Sequence, residues 1–384
     1  MSGSAVRIRR CGVVVLALLV TAGCEQISRV SRSTSGAQGN GSSTSPAISD
    51  DGRFVAFASN ASNLVSGDTN ATSDAFVHDA QAGTTTRVSV SSNGGQGNGL
   101  SAAFEGPALS GDGRFVAFTS AASNLVAGDT NGLIDVFVRD LQTGTTTREA
   151  VDAHGPTLSD DGRFLAYVSG SQVVVRDRQL GSTEVVPSGR GTEAKHPDLS
   201  GDGRFVAMTI TTAVEFGVAD EIWLYDRRDQ LLDRLSYLEG NAYWPSVSDD
   251  GRTVTFGESG GDAAWIVDRG RVSPLPGGLS YAPEVSDDGR FVVYRSENSR
   301  LVSGDTNDRD DVFVLDRTTG AVSRASVSAD GTEGNDSSDS PVVSADGRHV
   351  AFASRATNLV PDDTNGVVDV FRRDRGEQQT TAAG

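Results

Sequence analysis

Four stretches of the chain carry residue types that could hold a hard cation. GDTNATSD (67–74), GDTNGLID (128–135), GDTNDRDD (304–311) and DDTNGVVD (362–369) share the spacing D-T-N-x-x-x-D. Each offers three side-chain oxygens in seven residues: Asp68, Asn70 and Asp74; Asp129, Asn131 and Asp135; Asp305, Asn307 and Asp311; Asp363, Asn365 and Asp369. Calcium takes about six to eight oxygens, so carbonyls and water would complete such a shell. The closing Glu and mid-loop Gly of an EF-hand are missing. The same residues also make Asx turns, in which Asp and Asn accept loop amides, and this is their commoner use beside a strand. Calcium is therefore the one cofactor the sequence raises, with the turn as its alternative.

A second group stands directly before recurrent prolines: His154, His196, Tyr243, Trp244 and Tyr281. Aromatic faces stack on sugars and peptide side chains, so together these residues could line a ligand pocket. The plainer reading is bulky packing. His154 and His196 also suggest a metal-dependent, polysaccharide-active site, although two histidines are a thin ligand set. GESGG (257–261) has the G-x-S-x-G spacing, but that motif needs a strand-to-helix elbow and no helical pattern follows it. No catalytic residue is assigned, and the chain is read as a non-enzyme.

The elements that position these residues repeat. PAISDDGR (46–53), PALSGDGR (107–114), PTLSDDGR (156–163), PDLSGDGR (197–204), PSVSDDGR (245–252), PEVSDDGR (283–290) and PVVSADGR (341–348) all fit P-x-[ILV]-S-x-D-G-R. Their spacing of 38 to 61 residues suits propeller blades. Proline is expected to open a strand, Ser and Asp to hold the turn amides, Gly to supply a positive φ, and Arg to pair locally. An alternating strand follows, such as RFVAFAS (53–59), then a third like DVFVRD (135–140), a turn such as QTGTT, and a fourth. The prediction is an all-β, seven-bladed β-propeller of four-stranded blades, with six or eight blades as the alternative. ISRVSRS (27–33) matches the outer strands of other units and should complete the seventh blade.

The S-x-D-G-R turn followed by D-x-F-V-x-D resembles the TolB-like propeller repeats over residues 27–374. That family is usually six-bladed. The resemblance implies a protein-binding or scaffolding module, with a carbohydrate-binding or polysaccharide-active protein as the alternative. The strand order puts the DTN loops and the residues before proline on one face, and the D-G-R hairpins on the other. The DTN insertions fall in units 1, 2, 6 and 7, so units 3 to 5 should leave half of the rim bare.

Arg7, Arg9 and Arg10 precede the apolar run CGVVVLALLV (11–20), and TAGC ends at Cys24. Ten residues span about 15 Å as a helix, too short to cross a bilayer, so residues 1–23 read as a signal peptide. TAGC resembles a bacterial lipobox with Thr21 in the usual Leu position, which implies lipidation of Cys24. Residues 24–26 would be anchor and linker, 27–374 the propeller, and 375–384 a disordered tail. The mature chain keeps one cysteine, so it forms no internal disulfide. The formal net charge of -18 argues against a nucleic acid partner, which requires a cationic face. The expected partner is an envelope protein or glycan on the membrane-distal face of a lipid-anchored monomer; a secreted protein is the alternative.

Overall fold

The computed structural model describes residues 26–376 except 104, 216, 237–239, 260–262 and 279, and leaves the side chains of 280–282 undescribed. The leader, Cys24 and residues 377–384 lie outside the described residues. The chain forms seven sheets of four antiparallel strands. In six of them the strands are consecutive; in the seventh, Gln26–Arg29 pairs with Asp369–Asp374 and closes the ring. That strand is shorter than 27–33. At Val30 the chain turns inward, where Val30 and Ser31 both donate to the Val370 carbonyl and Ser31 Oγ donates to Asp369.

Blades hold one another through both faces of their second and third strands. Phe54–Ser59 and Asp74–Asp79 are buried along nearly their whole length, because each sheet packs between two neighbours. Phe57 stacks on Phe76, Phe118 on Phe137 and Phe352 on Phe371 at centroid distances of 5.7 to 5.9 Å. This layering explains why the second strands read FVAF rather than alternating with polar residues.

The D-G-R hairpin is a structural device. Ser49 Oγ donates to Asp51 and accepts from Phe54 N, Asp51 accepts from Arg53 N, and Gly52 sits at φ 67°. Arg53 forms a two-bond fork with Asp79, at 3.0 and 2.6 Å, and lies over the Phe54 ring. Arg114, Arg163, Arg204, Arg290 and Arg348 pair in the same way with Asp140, Asp177, Asp226, Asp316 and Asp374. Phe54 then packs onto Gly113 of the next hairpin, where a Cβ would collide with its ring, and Phe115, Phe164, Phe205 and Phe291 repeat the contact on the next glycine round the ring. The turn glycine thus meets two demands at once, a left-handed backbone and a seat for the neighbouring blade's ring.

Two expectations need correcting. Proline directly precedes the inner strand in blade 2, where Pro107 stands before Ala108–Leu109, but in the other six blades it sits within the strand. Ser43–Ile48 pairs with Phe54–Ser59 on both sides of Pro46, and the register shifts between Thr44 and Ala47. The bulge removes the ladder position that proline cannot fill, and the preceding residue takes a positive φ: Ser45 51°, His196 49°, Trp244 51°, Ser340 50°. Nor is the rim over blades 3 to 5 bare. In blade 4, Phe205–Val214 and Gly217–Asp226 pair along ten positions and project as a long hairpin with Val214 and Val218 exposed. The run TITTAV favours a continuing strand, which extends the ladder without the DTN insertion.

Candidate functional site

Each DTN loop enters the third strand of its blade and is fixed from inside. Asn70 Oδ1 accepts from Thr72 N, and Asn131, Asn307 and Asn365 accept likewise from Leu133, Arg309 and Val367: four Asx turns. The same asparagines donate through Nδ2 to Asp74, Asp135, Asp311 and Asp369. Between the first and last Asp of every copy stands a guanidinium from the outer strand. Arg87 lies 3.4 Å from Asp68 and 3.3 Å from Asp74. Arg148 lies 3.0 Å from both Asp129 and Asp135, while Arg29 serves Asp363 and Asp369. Arg324 serves Asp305 and Asp311 and also binds Glu333, where the related loops have Gln38 and Gln96. Sequence reasoning missed these arginines, although each lies in an outer-strand copy such as TTTR or AVSR.

The residues before proline are held by different partners. His196 and Trp244 line the channel mouth, 5.9 Å apart between ring centroids. Trp244 is 53% exposed, and Tyr243 packs edge-on against it at 4.8 Å without lining the channel. His196 Nδ1 is buried without a hydrogen bond, and burial, helped by the charge of Lys195, lowers its pKa. His154 turns instead to Glu105, Nδ1 to Oε1 2.9 Å, and that bond raises its pKa. Glu105 comes from the connection before blade 2 and also accepts from Gly155 N; no sequence pattern marked it. Tyr281 lies in the inner strand Ser280–Val285, but its side chain is outside the described residues.

The inner strands enclose a central channel of ≈ 790 Å³, lined by the prolines of the repeat and by its variable x residue. In blade order x is Asp50, Gly111, Asp160, Gly201, Asp249, Asp287 and Ala345. These residues ring the end next to the D-G-R hairpins. Asp50 and Asp160 lean over the glycine of the following blade: a Cβ on Gly111 would collide with the Asp50 carboxyl, and one on Gly201 with that of Asp160. Backbone bonds tie the ring, Asp50 N to Gly111 O and Asp160 N to Gly201 O at 2.9 Å each. Farther in, Asp198 and Glu284 also face the channel, and no Lys or Arg lines it among the described residues.

Burial first, and that imbalance second, set the ionisation of these acids. Burial raises the Asp50 carboxyl to about 6, with neighbouring Asp249 and Asp51 adding to it. Asp160 rises to about 7 and Asp287 to about 8, first by burial and then through the other ring carboxylates. Glu284 rises to about 8 by burial and the facing Asp198. The sequence carries this ring only as the one variable position of S-x-D-G-R, and nothing in the linear pattern shows that these positions converge on one axis.

Solved structures place the fold among propellers. The β-propeller domain of the Trilobed protease from Pyrococcus furiosus, described as having an open Velcro topology, superposes with a TM-score of 0.58 at 14% identity, over 89% of this chain and 98% of that one. Here the N-terminal strand closes the ring. A putative TolB from Agrobacterium tumefaciens (TM-score 0.42, 20% identity, 62% of this chain and 88% of that one) and TolB from Acinetobacter baumannii (0.43, 17%, 79% and 77%) also match. No family model and no curated protein sequence matches the chain.

Proposed function

We propose that this propeller is a protein-binding module of the bacterial cell envelope, exported by residues 1–23 and held to a membrane through a lipid on Cys24. The observation that carries the binding role is the apolar surface on the face of the DTN loops. Trp244 at the channel mouth and Val214 and Val218 on the blade 4 hairpin are 53%, 46% and 64% exposed. Exposed aromatics beside an apolar projection suit a protein partner better than solvent. The closing strand starts at Gln26, paired with Asp374 at the D-G-R end, so an anchor two residues earlier would hold that end to the membrane and turn Trp244 outward.

The test is capture of envelope proteins by the wild type, by Trp244→Ala and by Val218→Asp, followed by binding measurements on the recovered partner. A partner that binds the wild type and loses at least tenfold with both variants supports the module. Recovery of none, or of partners indifferent to both changes, overturns it. Cys24→Ser should release the chain from membranes; a variant that stays membrane-bound refutes the anchor. The second reading is carbohydrate binding, favoured by Trp244 beside His196, and a glycan panel answering to Trp244→Ala would replace the protein partner with a sugar.

A further inference from the structure

At the D-G-R end of the propeller, the outer edge is made of the turns that join third to fourth strands. In blades 1, 2 and 6 these turns read AQAGT (80–84), LQTGT (141–145) and RTTGA (317–321). In blades 3, 4 and 5 they read RQLGS (178–182), RRDQL (227–231) and RGR (269–271). Leu180 stands where the first three have Ala82, Thr143 and Thr319, and Leu231 where they have Thr84, Thr145 and Ala321. The turn itself does not need leucine. Leu180 is 72% exposed, the most of any large apolar side chain among the described residues, and Leu231 is 57% exposed. The same three turns carry Arg228, Arg269 and Arg271, all exposed. Among the described residues their side chains make no ion pair or hydrogen bond, whereas the acids beside them are engaged, Asp229 by Arg204 at 3.1 Å and Asp268 by Arg317 at 3.0 Å. A chain of net charge -18 thus keeps free guanidiniums together with apolar side chains in one sector of one end. Physiological salt screens charges beyond about 8 Å, so acids elsewhere on the chain do not cancel this sector.

The position of the sector in the ring is a second observation. Gln26 pairs with Asp374 as Leu231 pairs with Asp226, so the closing strand and the outer strand of blade 4 begin at the same end. Blades follow one another round the ring in chain order, and blades 3 and 4 each stand three places from blade 7. Leu180 and Leu231 therefore lie across the ring from the strand that follows Cys24.

We propose that Leu180, Leu231, Arg228, Arg269 and Arg271 dock the D-G-R end on the surface of an anionic phospholipid bilayer. The proposal rests on the reading of Cys24 as the anchor and adds the contact that fixes orientation. A lipid at the edge of blade 7 alone would leave the ring free to swing, whereas a contact on the far side lays it flat. Leucine side chains enter the headgroup boundary, and guanidiniums pair with lipid phosphates. A short tether raises the local concentration to about the millimolar range, so a contact too weak to hold the unanchored chain is sufficient. Trp244 and Val218, at the other end, then face away from the membrane.

Cosedimentation with vesicles tests this, using the chain from residue 24 onward with Cys24→Ser, which contains all seven sheets and carries no lipid. The vesicles are phosphatidylcholine alone or with about 30% phosphatidylglycerol. The expected result is binding to the anionic vesicles at millimolar lipid. Binding should fall at least about fivefold on phosphatidylcholine alone, with Leu180→Thr and Leu231→Thr together, and with Arg228→Gln and Arg269→Gln together. Threonine occupies both leucine positions in other blades, so the leucine variant should melt with its parent. Val218→Asp, at the other end, should bind unchanged. No binding, binding indifferent to lipid charge, or binding kept by either paired variant overturns the proposal. So does a concentration-dependent dimer that disappears with the leucine variant, which would give the patch to a second copy of the chain. Failure of the anchor reading shows separately, as wild-type and Cys24→Ser chains that divide alike between membrane and soluble fractions of cells.

Discussion

Arginine does two different jobs in this chain, and its burial separates them. The D-G-R arginines are partly exposed: Arg53 is 40% exposed against 13% for Asp79. Arg87 is 9% exposed between Asp68 and Asp74 at 4% and 0%. Removing it leaves two buried carboxylates facing each other without a cation, whereas the partners of Arg53 can hydrate. Arg87→Ala should therefore cost about 3–5 kcal/mol in urea denaturation, and Arg53→Ala clearly less. A larger loss for Arg53→Ala would show that the hairpin forks, not the rim pairs, hold the blades. Glu284 gives the matching prediction for pH. Its folded pKa of about 8 stands above the ordinary glutamate value of 4.5, so the folded state keeps a proton that the unfolded chain releases. Stability from this group is full at low pH and lost as pH rises through about 8. Asp287, Asp160 and Asp50 act in the same direction. His78 opposes them only at lower pH, since burial takes it from 6.5 to about 4. Without divalent ions, the melting temperature should fall between pH 6.5 and 8, and Glu284→Gln should flatten part of that slope. A wild-type profile that rises across this window would contradict the assignment.

At the scale of the element, the hairpin turns divide into two kinds that look alike in sequence. Gly203 of the blade 4 D-G-R turn has φ 71° and receives the Phe164 ring of blade 3, whereas Gly181 in the outer turn of blade 3 has φ 69° and open space around it. Gly181→Ala should cost only its backbone strain, roughly 1 kcal/mol. Gly203→Ala adds a collision with a ring wedged between blades, and about 1–3 kcal/mol more is expected in the same denaturation assay. Equal costs would mean that the rings shift freely and do not couple the blades. Blade 5 shows what happens when the ring is missing. Thr253 replaces the phenylalanine, Arg252 lies 3.6 Å from Asp250, and Asp268 pairs with Arg317 of the next blade.

For the whole molecule, closure is the governing feature. Gln26–Arg29 covers the strand Asp369–Asp374, which would otherwise be an open edge joining chains together. A chain lacking residues 1–33 should melt at least several degrees lower and elute as concentration-dependent larger species. A peptide of residues 26–33 should restore the monomeric elution; if the truncated ring is as stable and monomeric as the full chain, closure contributes nothing. The same closure joins blades 6, 7, 1 and 2 into one arc bearing the four DTN loops, and blade 4 raises its hairpin on the other side of the mouth.

The sequence by itself determined the blade count, the strand order and the closing strand, because the repeat P-x-[ILV]-S-x-D-G-R writes each hairpin in local turn chemistry. It also raised the Asx turn for the DTN asparagines, which the structure shows in all four copies, since such a turn needs only its own next two residues. Tertiary structure decided which side chains from different blades meet. Arg87 reaches Asp68 across 19 residues, within hairpin range, yet nothing in the spacing shows that it buries itself there. Asp50 and Asp287 lie 237 residues apart and meet only because the inner strands converge on one axis. The same convergence brings Glu105 to His154 and Trp244 to His196, pairings that no linear pattern contains.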